Sequence, residues 1–202
     1  MGNNRAQTRE VRLASKRRRS QLMTGGLAGA ALTILVVAIV FRVIVGGDSA
    51  ESGSSKRAPD FDFSLFQGES ELGERHLNIR QLDGKPVVLN FWAGLCPPCR
   101  AEMPDLQAFH DDFKQDVTLV GIDLGQFMGL GTKRDAENLL DELNISYPAG
   151  FTDYRGVIRD YHVLSMPTTV FIRPDGTIFE TWAGTVNKSA LVDNVREMQK
   201  GQ

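Results

Sequence analysis

Cys96 and Cys99 are the only cysteines in this 202-residue chain, and two prolines separate them. At the start of a helix, cysteines with this spacing lie on one turn and can cycle between a dithiol and a disulfide. The positive end of the helix dipole favours a thiolate over a thiol, so Cys96 at the helix cap is the predicted nucleophile. Cys96 is expected to be exposed, whereas Cys99 lies one turn inside the helix and is the predicted buried, resolving cysteine.

Other roles for the two cysteines stay open on their spacing alone. A structural disulfide would close a loop of only four residues and would stabilise the fold little through chain entropy. A zinc site would need two more ligands, but the three histidines, His76, His110 and His162, have no paired spacing. Two thiolates would also suit Cu(I), a soft ion. The choice among these roles depends on the elements that position the pair.

The segments on either side of the pair predict a strand and a helix. Residues 86–93, PVVLNFWA, are nearly all apolar, which is typical of a strand covered on both faces. Apolar residues then recur at helical spacing from Pro97 to about Phe113, and residues 117–124, VTLVGIDL, predict the next buried strand. The cysteines therefore lie where a buried strand ends and a helix begins. In α/β sheets this edge is where reactive groups and ligands are found.

The remaining segments complete an α/β domain predicted over residues 59–202. A short strand near residues 61–65 comes first, and an amphipathic helix is predicted over 133–143. Residues 168–183 predict a β-hairpin around the turn at 174–176, and Asn187 is expected to cap a last helix. This order of elements predicts parallel central strands with an antiparallel edge.

Two motifs carry a family resemblance, VVLNFWAGLCPPCRAEMP and SMPTTVFIRPDGTI. Together they resemble the thioredoxin superfamily, in particular its membrane-anchored TlpA/ResA-type thiol-disulfide oxidoreductases, over about residues 58–200. The resemblance implies a thioredoxin-like fold, a central mixed β-sheet flanked by helices. It also implies a cis peptide bond before Pro167, which would bring that backbone against Cys96. The residues that it implies for substrate binding are Trp92, Pro97, Met166, Pro167 and Thr168.

Two departures from the pattern of ordinary thioredoxin affect the expected mechanism. Asn90 stands where thioredoxin carries a buried Asp that assists proton transfer, and an amide cannot titrate. Glu102, one helical turn after Cys99, matches the acidic position of ResA-type proteins and would have a raised pKa if buried, suiting it to acid–base work. The alternative is a solvent-facing Glu102. Gly94 and Leu95 replace the bulkier pair, often containing Trp, that precedes the first cysteine in relatives, so the surface beside Cys96 should be less aromatic.

Charge divides the chain into a basic amino-terminal part and an acidic body. Residues 1–45 contain eight Lys or Arg and one Glu, whereas residues 46–202 contain 15 Lys or Arg and 24 Asp or Glu. The formal charges are therefore +7 and −9. Binding of nucleic acid needs clustered positive charge on the folded part, so the acidic body argues against a nucleic-acid partner.

An uncharged run of 20 residues, 22–41, is long enough as a helix to cross the roughly 30 Å hydrocarbon core of a bilayer. Seven basic residues precede it, so the positive-inside rule places residues 1–21 in the cytoplasm and the body outside. We therefore predict a transmembrane anchor at 22–45 in the cell membrane, followed by a flexible linker at 46–58. A cleaved signal peptide is the alternative, but Asp48 fits its cleavage motif poorly.

These features predict an extracytoplasmic, single-pass thiol-disulfide oxidoreductase that reduces disulfides in secreted or membrane proteins. The resemblance implies apocytochrome c or copper-site cysteines of an oxidase as substrates, a membrane electron donor of the CcdA/DsbD type, and no bound cofactor besides the Cys96–Cys99 pair. The alternative is a copper-handling module that binds Cu(I) through the same cysteines. A peroxidase of the peroxiredoxin type is less favoured, because its catalytic cysteine normally stands in a different Pro/Thr setting.

The two prolines predict the direction of electron flow. Pro97 and Pro98 have no backbone N–H, so Cys99 is the first residue after Cys96 that can donate one to a Cys96 thiolate. A less stabilised thiolate gives up electrons more readily, which favours a reductase.

Overall fold

One seven-stranded sheet organises residues 56–200, the part of the chain that the computed structural model describes. Its strands, in chain order, are β1 (Asp62–Gln67), β2 (His76–Asn78), β3 (Val87–Trp92), β4 (Thr118–Asp123), β5 (Ala149–Phe151), β6 (Thr168–Ile172) and β7 (Ile178–Ala183). Their order across the sheet is β2-β1-β5-β4-β3-β6-β7. Strands β3, β4 and β5 run parallel, and the outer pairings are antiparallel. The sheet is therefore mixed, as predicted.

Six α-helices connect and cover these strands within the same residues: α1 (Glu69–Leu72), α2 (Pro97–Phe113), α3 (Gly125–Met128), α4 (Lys133–Glu142), α5 (Val157–Asp160) and α6 (Lys188–Lys200). A 3₁₀ helix spans Ile79–Leu82. The predicted helices at 97–113 and 133–143 correspond to α2 and α4. The Asn187 side chain accepts a hydrogen bond from the amide of Ala190 at 2.9 Å, so the predicted cap of α6 is confirmed.

Strand β3 lies inside the sheet, between β4 and β6, and is covered on both faces. All six of its residues are buried. Since side chains alternate along a strand, Val88 and Trp92 enter a core on one face, and Val87, Leu89 and Phe91 enter a second core on the other. Helix α2 covers the first face. Packing on both faces of β3 therefore fixes the position of its carboxyl end, where the chain enters α2.

The first core is formed with apolar side chains from α2, α4 and α6. These are Met103, Leu106, Phe109, Ala136, Leu139, Leu140, Leu191, Val195 and Met198. Helix α2 therefore rests on the sheet through the residues that its helical spacing predicted. Strands β2 and β5 and helices α1, α3 and α5 were not predicted, because elements of three or four residues are too short to show a period.

The beginning of the folded unit differs from the prediction. Residues 56–58 were assigned to the flexible linker, but Arg57 forms a β-bridge with Thr177. Ala58 is buried, and its amide donates to the Gly176 carbonyl at 2.9 Å. The small and polar residues before Ala58 gave no sign that its side chain enters the second core. The predicted tail at 1–21, the anchor at 22–45 and most of the linker lie outside the described residues. Between residues 56 and 200, no helix is both long and apolar enough to cross a bilayer.

Candidate active site

The cysteine pair stands where the chain leaves β3 and begins α2. Cys96 is the N-cap residue of α2, and Pro97 is its first helical residue. Cys96 and Cys99 form a disulfide with their Cα atoms 5.2 Å apart. The predicted location at a strand-to-helix junction is therefore confirmed, and the protein is in its oxidised form.

Both cysteines are largely covered in this oxidised form. Cys96 is 3% exposed and Cys99 is fully buried. Cys96 was predicted to be exposed, and the structure corrects this to a small accessible surface. The reason is the loop before it, where the amide of Leu95 donates to the Leu130 carbonyl at 2.8 Å and draws the chain against the 129–131 segment. Of the two sulfur-bearing residues, Cys96 is still the one that solvent reaches.

One backbone donor serves the Cys96 sulfur. The amide of Cys99 donates to Cys96 Sγ at 3.3 Å. Pro97 and Pro98 occupy the first two helical positions and have no N–H. Cys96 Sγ therefore receives one of the capping hydrogen bonds that a helix N-terminus can offer, as the sequence predicted.

Glu102 is buried beneath the pair. It is 2% exposed, so the alternative of a solvent-facing Glu102 is wrong. Its Oε1 accepts a hydrogen bond from Asn90 Nδ2 at 2.9 Å, and its Oε2 accepts one from the amide of Val186 at 2.9 Å. Glu102 and Cys99 share the buried face of α2 because three residues separate them.

Burial raises the pKa of Glu102 to about 7, although its two hydrogen bonds act in the opposite direction. Removal of a carboxylate from water costs more than the two neutral donors return. Near neutral pH the side chain is therefore present in both protonation states. Such a group can accept a proton from a thiol and release it again, which is what general acid–base catalysis requires.

Asn90 holds Glu102 instead of exchanging protons itself. It is fully buried in β3, and its Nδ2 also donates to Thr169 Oγ1 at 3.1 Å. Its Oδ1 is buried and has no hydrogen-bond partner among the described residues. Since an amide carries a donor and an acceptor, rotation of Asn90 would present Oδ1 to a protonated Glu102. Asn90 thus suits both states of the acid, and the sequence did not indicate this partnership.

The second motif meets the first at the same edge of the sheet. The Met166–Pro167 peptide bond is cis, as the resemblance implied. In the antiparallel pairing of β3 with β6, Phe91 faces Thr168, so Pro167 lies beside the end of β3. Pro97 is exposed, Met166 is half-buried and Pro167 is buried. The topology therefore brings Met166 and Pro167 to the edge that carries Cys96.

Besides Pro167, two further predicted substrate-binding residues are buried. Trp92 is fully buried, and a Cβ atom at Gly121 would come within 2.9 Å of its Nε1. Thr168 is 2% exposed, and its hydroxyl donates to the Ser165 carbonyl at 2.8 Å. Both belong to strands that are covered on both faces, which prevents direct contact with a substrate. Trp92 supports β3, and Thr168 holds the turn before Pro167.

Exposed aliphatic side chains flank the pair and the proline turn. Leu95, directly before Cys96, is 60% exposed, and Leu164, three residues before Pro167, is 90% exposed. Leu164 was missed by the sequence analysis, since a single leucine in a polar segment carries no pattern. The exposed side chain next to Cys96 is thus aliphatic, in agreement with the sequence.

The described residues offer little for a metal ion. Between residues 56 and 200, no three His, Cys, Asp or Glu side chains come together as a metal-binding group. The Cu(I) hypothesis therefore rests on the two thiolates alone. The site's chemistry is that of a dithiol with a buried acid beneath it.

Comparison with known proteins agrees with this chemistry. Residues 55–181 match the family model described as AhpC/TSA family. The thiol-disulfide oxidoreductase ResA of Oceanobacillus iheyensis is 35% identical over 164 residues, which cover 79% of this chain and 81% of that protein. ResA of Bacillus subtilis is 28% identical over 192 residues, covering 93% of this chain and 97% of its own length.

Solved structures show the same fold. A thioredoxin-family thiol:disulfide interchange protein from Chlorobium tepidum aligns with a TM-score of 0.60 at 22% identity, covering 74% of this chain and 99% of the other. A secreted disulfide oxidoreductase of Mycobacterium tuberculosis, homologous to DsbE of Escherichia coli, aligns with a TM-score of 0.53 at 26% identity, covering 68% and 95%. The chain therefore belongs to the AhpC/TSA family and is a thioredoxin-like thiol-disulfide oxidoreductase with ResA proteins among its relatives.

Proposed function

We propose that the protein reduces disulfides in other exported proteins, with Cys96 as the attacking thiol. The observation that carries this proposal is the single backbone donor on Cys96 Sγ, from Cys99 at 3.3 Å. A thiolate with one such donor is stabilised less than one with two, so the dithiol form gives up its electrons more readily. Cys96 is also the cysteine that retains accessible surface.

The reaction proceeds in two exchanges. The Cys96 thiolate attacks one sulfur of the substrate disulfide, forms a mixed disulfide, and releases the other substrate sulfur as a thiolate that takes up a proton. Cys99 then loses its proton to Glu102 and attacks Cys96 Sγ, which releases the second substrate sulfur as a thiolate. This thiolate takes up a proton from water, and Glu102 returns its proton to the solvent. The substrate gains two electrons and two protons, and the protein is left with the Cys96–Cys99 disulfide. An external dithiol must then reduce this disulfide.

The direction of electron flow can be tested by replacing the two prolines one at a time. Pro98 stands at the second helical position, whose N–H would reach a cap atom, so Pro98→Ala restores a donor to Cys96 Sγ. We expect the thiolate to be favoured by roughly tenfold and the potential of the couple to rise by about 30 mV. Equilibration of the full chain with a dithiothreitol or glutathione buffer measures the potential.

Pro97→Ala is the matched control, because the N–H of the first helical position does not serve the cap. It should leave the potential close to that of the parent, which we expect nearer to roughly −270 mV than to about −120 mV. A parent potential at the oxidising end, or equal effects of the two substitutions, would contradict the role given to the missing donor.

We further propose that residues 22–45 anchor the protein in the cell membrane, with residues 1–21 in the cytoplasm and the catalytic domain outside. The support is the basic flank before an uncharged run of 20 residues, together with the secreted relative of Mycobacterium tuberculosis. Outside the cytoplasm, an electron donor in the membrane, of the CcdA/DsbD type, would supply the external dithiol.

The topology has a direct test. A reporter that is active only outside the cytoplasm, fused after Gln202, should be active, and a reporter that works only in the cytoplasm should be silent at the same position. Replacement of Arg17, Arg18 and Arg19 by Glu should weaken this orientation, because the positive-inside rule depends on those charges. The opposite reporter pattern in the parent chain would reject an exported domain.

A further inference from the structure

We propose that Asp123 is a positioning residue that holds the loop before Cys96 in place for attack. This rests on the proposed role of Cys96 as the attacking thiol. Asp123 is the last residue of β4 and is fully buried. In the parallel pairing of β3 with β4 it faces Trp92, the last residue of β3. Its carboxyl group thus lies at the edge of the sheet where the active-site loop begins.

A continuous series of hydrogen bonds leads from Asp123 to the residue before Cys96. Asp123 Oδ1 accepts from the amide of Gly125 at 3.0 Å, and the Gly125 carbonyl accepts from the amide of Leu130 at 3.0 Å. The Leu130 carbonyl in turn accepts from the amide of Leu95 at 2.8 Å. The buried carboxyl group therefore organises the segment against which Leu95, and with it Cys96, is held.

Gly94 also interacts with the Asp123 carboxyl group. Its backbone amide favours the ionised form of Asp123 and so lowers the pKa of that carboxyl group. Asp123 Oδ2 has no hydrogen-bond partner among the described residues. A Cβ atom at Gly94 would lie 2.5 Å from backbone atoms of Asp135 and Ala136, so the loop is seated against the first turn of α4. The loop is thus fixed from the side of Asp123 and from the side of α4.

The charge on Asp123 determines how strong its hydrogen bonds with these backbone amides are. Burial raises its pKa to about 6, and the Gly125 and Gly94 amides and Lys133 oppose that rise, whereas Asp135 adds to it. Lys133 and Asp135, both in the first turn of α4, are the charged side chains that act on the group. Below this pH the carboxyl group is neutral and accepts more weakly, so the loop should be held less firmly.

The group is distinct from Glu102. Asp123 belongs to β4 and accepts a hydrogen bond from the amide of Gly125, whereas Glu102 belongs to α2 and accepts from Asn90 and Val186. The pKa of Glu102 is raised to about 7 and that of Asp123 to about 6, so the two groups should give separate inflections in a pH profile. This separation makes the proposal testable independently of Glu102.

The experiment measures disulfide exchange and Cys96 alkylation by iodoacetamide in the full chain, from about pH 5 to about pH 8. Asp123→Asn keeps an acceptor for Gly125 but removes the charge. We expect exchange to be roughly tenfold slower at neutral pH, with loss of the inflection near 6 and retention of the one near 7. Asp116→Asn is the matched control, because Asp116 is exposed, lies two residues before β4 and loses the same charge.

An unchanged pH profile in Asp123→Asn, with only a lower stability, would overturn the proposal, because it would make Asp123 a purely structural residue. If the variant does not fold, amide spectra of the isotope-labelled parent replace it. The Gly94, Leu95 and Gly125 amides should shift together with a midpoint near 6, and amides that do not titrate there would overturn the proposal. These shifts do not depend on which cysteine attacks, whereas peptide mapping of the alkylated residue tests Cys96 itself.

Discussion

Replacement of Cys99 by serine should leave the protein covalently attached to its substrate through Cys96. The first exchange needs only Cys96, but release of the substrate needs the Cys99 thiol. Cys96→Ser should lower the rate of exchange by at least roughly a thousandfold, because a hydroxyl cannot replace the thiolate nucleophile. Non-reducing gels of membranes that contain each variant, followed by mass spectrometry of the adduct, measure both effects.

The double variant Cys96→Ser, Cys99→Ser is the control, and it should form no adduct. Adducts in Cys96→Ser but not in Cys99→Ser would reverse the two roles and contradict the burial difference between them. The same experiment identifies the substrate. Recovery of apocytochrome c or of a copper-site protein of an oxidase would decide between the two proposed substrate classes.

Replacement of Glu102 by glutamine should slow the second exchange by roughly a hundredfold, because the proton of Cys99 then has no nearby acceptor. The inflection near pH 7 in the rate of exchange should disappear with it. Glutamine retains the shape of the side chain and can still pair with Asn90 and Val186, so the fold should persist. Stopped-flow measurements of substrate release across this pH range test the expectation. Glu137→Gln is the matched control, because Glu137 is exposed on α4.

The same substitution should change how stability depends on pH. The pKa of Glu102 rises from 4.5 to about 7 on folding, so between these values the folded protein binds more protons than the unfolded chain. Glu102 therefore lowers the free energy of unfolding as pH rises from about 4.5 to about 7, by about 3 kcal/mol in total, and has no further effect above that range. Denaturation of the full chain at several pH values measures the difference.

In Glu102→Gln this decrease should be absent, so the variant should be the more stable protein at alkaline pH. The parent and the variant should show similar stability in acid, where Glu102 is neutral in both states. A variant whose stability still falls by as much as that of the parent would show that Glu102 is not the group that titrates. A pH-rate profile unchanged by the substitution would remove Glu102 from the proton-transfer step.

The sequence alone predicted those structural features that depend only on residues close together in the chain. The uninterrupted apolar run of β3 predicted a strand covered on both faces, and the helical spacing after Pro97 predicted α2. The spacing of Cys96 and Cys99 then located a dithiol at a helix N-terminus. The two prolines between them predicted the single donor to Cys96 Sγ, because the absence of an N–H is a property of the residue itself.

Predictions failed where burial depends on neighbours that are distant in the chain. Trp92 and Thr168 are adjacent to the motifs of the site, but their strands pair on both sides and their side chains are buried. Ala58 was assigned to a linker because its partners, the second core and the hairpin turn near Gly176, are distant in the chain. Sequence neighbours could not reveal these pairings, since register across a sheet joins segments far apart in the chain.

The sequence by itself thus determined the kind of chemistry, and the tertiary structure decided how the protons are managed. The sequence placed Glu102 one turn from Cys99. Its raised pKa comes from burial in the assembled core, and the donors that partly oppose this rise, Asn90 and Val186, lie 12 and 84 residues away in the chain. Asp123 was visible only as a charged residue at the end of an apolar strand until the fold brought it to the loop before Cys96. Desolvation is a property of the assembled core, so residue types and spacing could not predict which acids it affects.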